Sequence, residues 1–209
     1  MPSYRAIPTE RGELRIYPSR AMRPIATLVL HHGAGRGIDS PDLVALSRRL
    51  PKLGINVFRV EQPWQVVGKL VAAPPAQLDE AALAAANAIR VRTPIIWGGR
   101  SAGARVACRM ALRMGAVGAL ALAFPLHPPG RPEKSRVAEL LDSGVPTLVV
   151  QGERDPFGKP LEFPPAVDLA TVPYADHSFS VPKRAPVSTE DALAVVVESV
   201  VEWLTRRIG

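Results

Sequence analysis

An α/β fold, with a mostly parallel central sheet and helices on both faces, is predicted by three observations. Apolar runs of strand length alternate with helix-forming stretches from Ile25 to the last helix, the pattern of successive βαβ units. Those runs are nearly continuous, as in strands covered on both faces. Between one such run and a helix stands Gly99-Arg100-Ser101-Ala102-Gly103. A G-x-S-x-G in that setting holds a serine on a sharp strand-to-helix turn at the carboxyl edge of a sheet.

Taken in order, residues 3–17 alternate about Thr9-Glu10-Arg11-Gly12 and predict a hairpin at an antiparallel edge. Ile25–His31 is a buried strand leading into His31-His32-Gly33-Ala34-Gly35-Arg36-Gly37. That loop lacks the spacing of either glycine-rich nucleotide motif. Its small residues suit a backbone N–H aimed at a reacting carbonyl oxygen. Ser40 as N-cap and Pro41 in the first turn open a helix to about Leu53, with Gly54 as the stop. Ile55–Val60 is the next strand, and after Trp64 the chain loops through Pro74-Pro75 into an alanine-rich helix, Gln77–Arg90.

Val91–Trp97 is read as the strand before the motif and Ala102–Met114 as the helix after it, ending at Gly115. At so sharp a turn Gly98, Gly99 and Gly103 keep Cβ atoms out of the way of neighbouring backbone. Strand Gly118–Phe124, helix Arg136–Leu141, strand Thr147–Gln151 and strand Val167–Val172 follow. Ser188-Thr189-Glu190-Asp191 caps a final helix to Arg207, in which Leu193, Val196, Val197, Val200 and Leu204 recur with helical period. The 22 prolines, about twice the usual share, collect in loops and stiffen them. The connection from Phe124 to Thr147 is too short for a large cap domain, so the site is expected to be open and shallow.

A chain of 209 residues is expected to form one domain over 1–209 with a substantial core. Lys and Arg exceed Asp and Glu by 26 to 19. The basic residues are scattered, without the runs or interleaved aromatics of a nucleic-acid binder, so nucleic acid is not an expected partner. The lone Cys108 rules out an internal disulfide. It lies two helical turns, about 10 Å, beyond Ser101 and reads as a small buried apolar residue. Charges and prolines fill the first 15 residues, where a signal peptide needs an apolar core, and no apolar run has the length of a membrane span. A cytoplasmic protein without membrane attachment is expected. The four histidines lack metal-ligand spacing, so neither metal nor cofactor is expected.

A serine hydroxyl becomes a good nucleophile when a general base takes its proton, and the base is oriented by a third group, usually a carboxylate. Asp155 follows the strand Thr147–Gln151, and His177 follows the strand Val167–Val172, so both fall at the edge that carries Ser101. The order Ser, Asp, His fits a nucleophile on this kind of turn. Glu153 and Asp176 are rival acids. His127 is a rival base that breaks the order and reads as a pocket or loop residue. His31 and His32 read as supports of the glycine-rich loop. The oxyanion donors would be the backbone N–H groups of Ala34 and Ala102. Arg100 either binds a substrate carboxylate or anchors the turn to a neighbouring loop. Trp64, Phe157 and Phe179 line the site or belong to the core.

The stretches LHHGAGRG, GGRSAGARVA, FPLHPPGRPEK, QGERDPFG and DHSF resemble the α/β-hydrolase superfamily from Ile25 to the last helix. More narrowly they look like its small, lidless, dienelactone-hydrolase-like group. That group includes the hydrolase-like domain of a histone-acetyltransferase complex subunit and a testis-expressed relative. The resemblance implies a triad of Ser101, Asp155 and His177 with oxyanion donors at Ala34 and Ala102. Dienelactone hydrolase itself uses cysteine where this chain has Ser101, so its substrate does not carry over. The expected activity is hydrolysis of an ester, thioester or lactone, with short or exposed acyl groups favoured. The alternative is a non-catalytic interaction module of the same fold with a basic surface.

Overall fold

The computed structural model describes residues 3–208. Eight strands form one sheet: β1 (Arg5–Thr9), β2 (Gly12–Ser19), β3 (Ala26–His31), β4 (Ile55–Glu61), β5 (Ile95–Arg100), β6 (Gly118–Leu122), β7 (Thr147–Gly152) and β8 (Asp168–Val172). Their order across the sheet is β1-β2-β4-β3-β5-β6-β7-β8. The hairpin β1–β2 joins β4 antiparallel, and every later pairing is parallel. All the parallel strands therefore end at one edge, which gathers the loops after β3, β5, β7 and β8.

Six helices accompany the sheet: α1 (Pro41–Arg49), α2 (Pro63–Val66), α3 (Pro75–Ala88), α4 (Ala102–Met110), α5 (Val137–Leu141) and α6 (Thr189–Ile208). Strand alternation sorts the core into two layers. Leu28, Leu30, Val57, Leu120, Leu122, Leu148 and Val150 face α1 and α6, where Leu43, Leu46, Val196, Val200 and Trp203 meet them. Val29, Phe58, Val60, Trp97 and Ala119 face the other way, against Ala81 and Ala85 of α3 and Ala107 of α4. The small residues of α3 and α4 let these helices lie close to the sheet. The chain from β6 to β7 carries only α5 and a short 3-10 turn, Pro132–Lys134, with no cap domain.

Several boundaries differ from the sequence expectation, each for a local reason. The strand expected at Val91–Trp97 starts at Ile95 and runs through Gly98 and Gly99 to Arg100. Pro94 offers no N–H to a ladder, although its carbonyl accepts from Thr27 N–H at 2.9 Å. The helix from Pro41 gives way at Leu50 to a 3-10 turn, Leu50–Leu53. Pro51 lacks the N–H that would bond the Ser47 carbonyl. Ser40 occupies the N-cap position, but its hydroxyl donates back to the Gly37 carbonyl at 2.9 Å and leaves the helix N–H groups alone.

The alanine-rich helix sits two residues early, with Pro75 at its first turn. Beyond Met110 the chain continues in turns that close on Gly115, at φ 69°. Gly115 N–H bonds Leu112 O at 3.1 Å and Ala116 N–H bonds Ala111 O at 3.0 Å, a Schellman closure. The last helix opens with a reciprocal cap: Asp191 N–H bonds Ser188 Oγ at 3.1 Å, and Ser188 N–H bonds Asp191 Oδ2 at 2.8 Å. The helical turn α2 at Pro63 was not expected from the sequence.

Candidate active site

Ser101 stands between β5 and α4 at φ 54° and ψ −114°, a backbone conformation that L residues avoid. The surroundings impose it. A Cβ on Gly99 would come within 2.6 Å of the His31 carbonyl oxygen, and one on Gly103 would lie 2.6 Å from the His31 carbonyl carbon. Gly98 is less confined, with its nearest contacts at 3.1 Å. Ser101 N–H bonds Leu122 O at 2.9 Å, while Ser101 O starts α4 by accepting from Ala104 N–H at 3.0 Å. The turn is thus hydrogen-bonded to β6 on one side and packed closely against the end of β3 on the other.

The His177 ring lies 3.0 Å from Ser101 Oγ through Nε2 and 2.7 Å from Asp155 Oδ2 through Nδ1. Facing a carboxylate, Nδ1 carries the hydrogen, which leaves the Nε2 lone pair directed at the serine hydroxyl. Asp155 is fully buried. Its Oδ1 accepts from Phe157 N–H at 2.8 Å and its Oδ2 from Gln151 Nε2 at 2.9 Å. Phe157 packs on the His177 ring at a centroid distance of 4.3 Å. The turn after β7 is locked to the His177 loop, since Arg154 N–H bonds Ala175 O at 2.9 Å.

The rival acids have other partners. Glu153 Oε2 accepts from Tyr174 N–H at 2.6 Å. Asp176 Oδ1 accepts from Ser178 N–H at 2.7 Å and Ser180 N–H at 3.0 Å, which shapes the loop that presents His177. His127, the rival base, is bound by Nδ1 to Pro128 O at 2.9 Å and by Nε2 to Glu162 Oε1 at 3.1 Å. The Pro128 carbonyl, then Glu162, raises its pKa. It ties two loop segments together.

Arg100 is buried and faces inward. Its Nη2 donates to His177 O at 2.6 Å, and its Nε lies 3.2 Å from Asp42 Oδ2 of α1, as an ion pair without hydrogen-bond geometry. These two contacts are those of the anchoring reading: Nη2 and Nε face the His177 loop and α1. Phe179, at φ 53°, is fully buried in the core beside α6. Cys108 is buried among Ala104, Ala121 and Phe124, and burial pushes its thiol up to about 12.

His31 and His32 stay neutral. Gln62 N–H donates to His32 Nε2 at 3.0 Å, so Nδ1 carries the hydrogen and gives it to Gly33 O at 2.7 Å. Burial lowers His32 to about 4 and His31 to about 3. The loop after β3 reaches the serine closely: a Cβ on Gly33 would come within 2.8 Å of Ser101 Cβ. Among the described residues, neither Ala34 N–H nor Ala102 N–H has an intramolecular acceptor. Trp64 is buried and packs on His32 at 5.0 Å between centroids. Among the described residues, no cluster of three His, Cys, Asp or Glu side chains could hold a metal ion, and no helix is long and apolar enough to cross a membrane.

Two buried polar side chains of this region were not singled out in the sequence. Gln151 donates through Nε2 to Asp155, to Gly158 O at 2.8 Å and to Phe124 O at 3.3 Å. An amide ending an otherwise apolar strand was the available signal. Asp42 is also fully buried, and burial raises its carboxyl against the opposing pull of Arg100. An acid in the first turn of a helix is too common to have marked it.

A strained serine between strand and helix, on an eight-stranded sheet with this order, defines an α/β hydrolase. The family model described as an alpha/beta hydrolase domain matches residues 24–205, and the chain belongs to that family. Its fold is similar to that of XC6422 from Xanthomonas campestris, described as an a/b serine hydrolase without lid. The two share 19% identity at a TM-score of 0.70, over 96% of this chain and 94% of the other. Est1E from Butyrivibrio proteoclasticus matches at 15% identity and a TM-score of 0.70, over 97% and 99%. The esterase domain of a Rhodothermus marinus protein matches at 14% and 0.71, over 99% of each chain. Among curated proteins, none matches this sequence significantly.

Proposed function

We propose that the chain is a serine hydrolase that cleaves a carboxylic ester, thioester or lactone through an acyl-enzyme. The observation that carries this reading is the bridge of His177 between Ser101 Oγ at 3.0 Å and Asp155 Oδ2 at 2.7 Å. Ser101 Oγ attacks the carbonyl carbon as its proton passes to His177 Nε2, and Asp155 stabilises the imidazolium. The negative oxygen of the tetrahedral intermediate lies against the N–H groups of Ala34 and Ala102, at the start of α4 where the helix dipole adds to their pull. Collapse expels the alcohol or thiol, which takes the proton from His177. Water, deprotonated by His177, then releases the acid and restores Ser101.

The absence of a cap domain supports short acyl groups, or acyl groups exposed on a larger molecule. The narrower likeness to the dienelactone-hydrolase-like group and a cytoplasmic setting belong to this proposal. A chain-length series of aryl and thiol esters tests it, with Ser101→Ala as the blank. Turnover highest on short chains and lost in the variant is expected. Strong preference for long lipid chains, or turnover that survives in Ser101→Ala, contradicts it.

A further inference from the structure

Phe157 touches His177, and the mechanism above makes no use of it. The two ring centroids lie 4.3 Å apart, with 34° between the ring planes. Rings so close and so little tilted overlap face over face, because edge-on contact holds the centres further apart.

The turn that carries Phe157 is tied down on both sides. Phe157 N–H donates to Asp155 Oδ1 at 2.8 Å, and Gly158 N–H to Asp155 O at 3.2 Å. From the facing segments, His127 N–H donates to Phe157 O at 3.0 Å, and Gln151 Nε2 to Gly158 O at 2.8 Å. One turn therefore presents two side chains to one imidazole: the Asp155 carboxylate meets Nδ1 at the ring edge, and Phe157 covers a face.

The core does not account for this ring. Phe157 is half-buried and belongs to none of the apolar clusters among the described residues. Phe58, Phe124, Phe163 and Phe179 each belong to one. An aromatic that packing does not require, laid on the base of the reaction, calls for a chemical reason.

We propose that Phe157 is a positioning residue of the hydrolytic reaction, its π face stabilising the imidazolium that His177 becomes on taking the Ser101 proton. This rests on the hydrolase reading above and adds a residue to it. A phenyl ring is negative on its face and attracts a cation far more than a neutral ring. The attraction therefore grows as the proton moves from Ser101 Oγ to His177 Nε2, and a contact that strengthens toward the transition state speeds the chemical step.

The other groups facing His177 are Ser101 Oγ at Nε2, Asp155 at Nδ1, the Arg100 guanidinium at its main-chain oxygen, and Asp42 of α1 behind Arg100. Asp176, beside it in the chain, accepts from Ser178 and Ser180 N–H. A test must leave all of these in place. In the full chain, Phe157 is replaced by mono-, di- and trifluorinated phenylalanine, which keep the shape of the ring and withdraw the negative charge from its face.

Protonation of His177, assigned with His177→Gln, is followed by 15N NMR without substrate. Its midpoint is expected to fall with each fluorine, by roughly half a pH unit to one unit over the series. On a short aryl ester, kcat/KM is expected to fall roughly threefold to tenfold over the same series, while thermal unfolding stays unchanged. A midpoint that does not move overturns the proposal whether or not the protein hydrolyses anything. A midpoint that moves while kcat/KM holds constant also overturns it and leaves the hydrolase reading intact. A moving midpoint in a protein that turns over no ester overturns the hydrolase reading, and the role in catalysis with it.

Discussion

Arg100 donates through Nη2 to the main-chain oxygen of His177 at 2.6 Å, so the residue immediately before Ser101 holds the loop that carries its histidine. Behind it Asp42, 1% exposed, supplies the balancing charge. Arg100→Met would leave that carboxylate buried and unpaired. The expected cost is about 3–5 kcal/mol of stability, measured by urea unfolding, with part recovered in the double variant Arg100→Met, Asp42→Asn. A cost under about 1 kcal/mol would show that the pair does not hold the loop.

Gln151 feeds Asp155 Oδ2 and two carbonyls from within the core. Gln151→Leu is expected to lower stability by about 1–3 kcal/mol, the cost of unsatisfied buried polar groups, and to slow ester turnover through kcat with KM little changed. Unchanged kcat would mean that Asp155 keeps His177 oriented without the amide.

Gly99→Ala and Gly103→Ala drive a methyl group into the His31 main chain. Losses of roughly 1–3 kcal/mol or more are expected for each, and a smaller loss for Gly98→Ala, where the nearest contacts are 3.1 Å away. Thermal unfolding of the three variants, ranked, is the check.

His32 is lowered by burial to about 4 from an unfolded value near 6.5. Its folded form resists protonation, so its contribution to stability is complete above pH 6.5. It is lost as pH falls toward 4, at up to about 1.4 kcal/mol per pH unit. His31, lowered to about 3, extends the same fall to lower pH. Urea midpoints between pH 8 and pH 4 should decline with a slope that His32→Gln makes shallower.

Ala34→Pro deletes one backbone N–H without adding a charge. A loss of about 3–4 kcal/mol of transition-state stabilisation is expected, read as kcat/KM on a short ester, whereas Ala34→Ser should stay within a few-fold of the parent. Equal behaviour of the two variants would remove Ala34 from the oxyanion site.

Much of this arrangement was legible in the sequence because it depends on local signals. G-x-S-x-G carries its own steric reason, and continuous apolar runs reveal doubly covered strands. Residues that end consecutive parallel strands share an edge, which is why Asp155 and His177 could be named. What escaped depends on distant partners. The Arg100 side chain could have served substrate or scaffold, and the carboxylate it faces, Asp42, lies 58 positions earlier in the numbering. Phe179 could have lined the site or joined the core, and nothing near it in the sequence shows that it packs beside α6. The strand boundary at Val91 was missed because an apolar run does not reveal where a proline ends pairing.

The most direct test of the account is whether His177 activates Ser101. The full chain is treated with a fluorophosphonate, digested, and the modified residue located by mass spectrometry, alongside His177→Ala. Modification at Ser101 that collapses in the variant is the predicted result. A folded protein whose Ser101 stays unmodified, or is modified equally without His177, would contradict it.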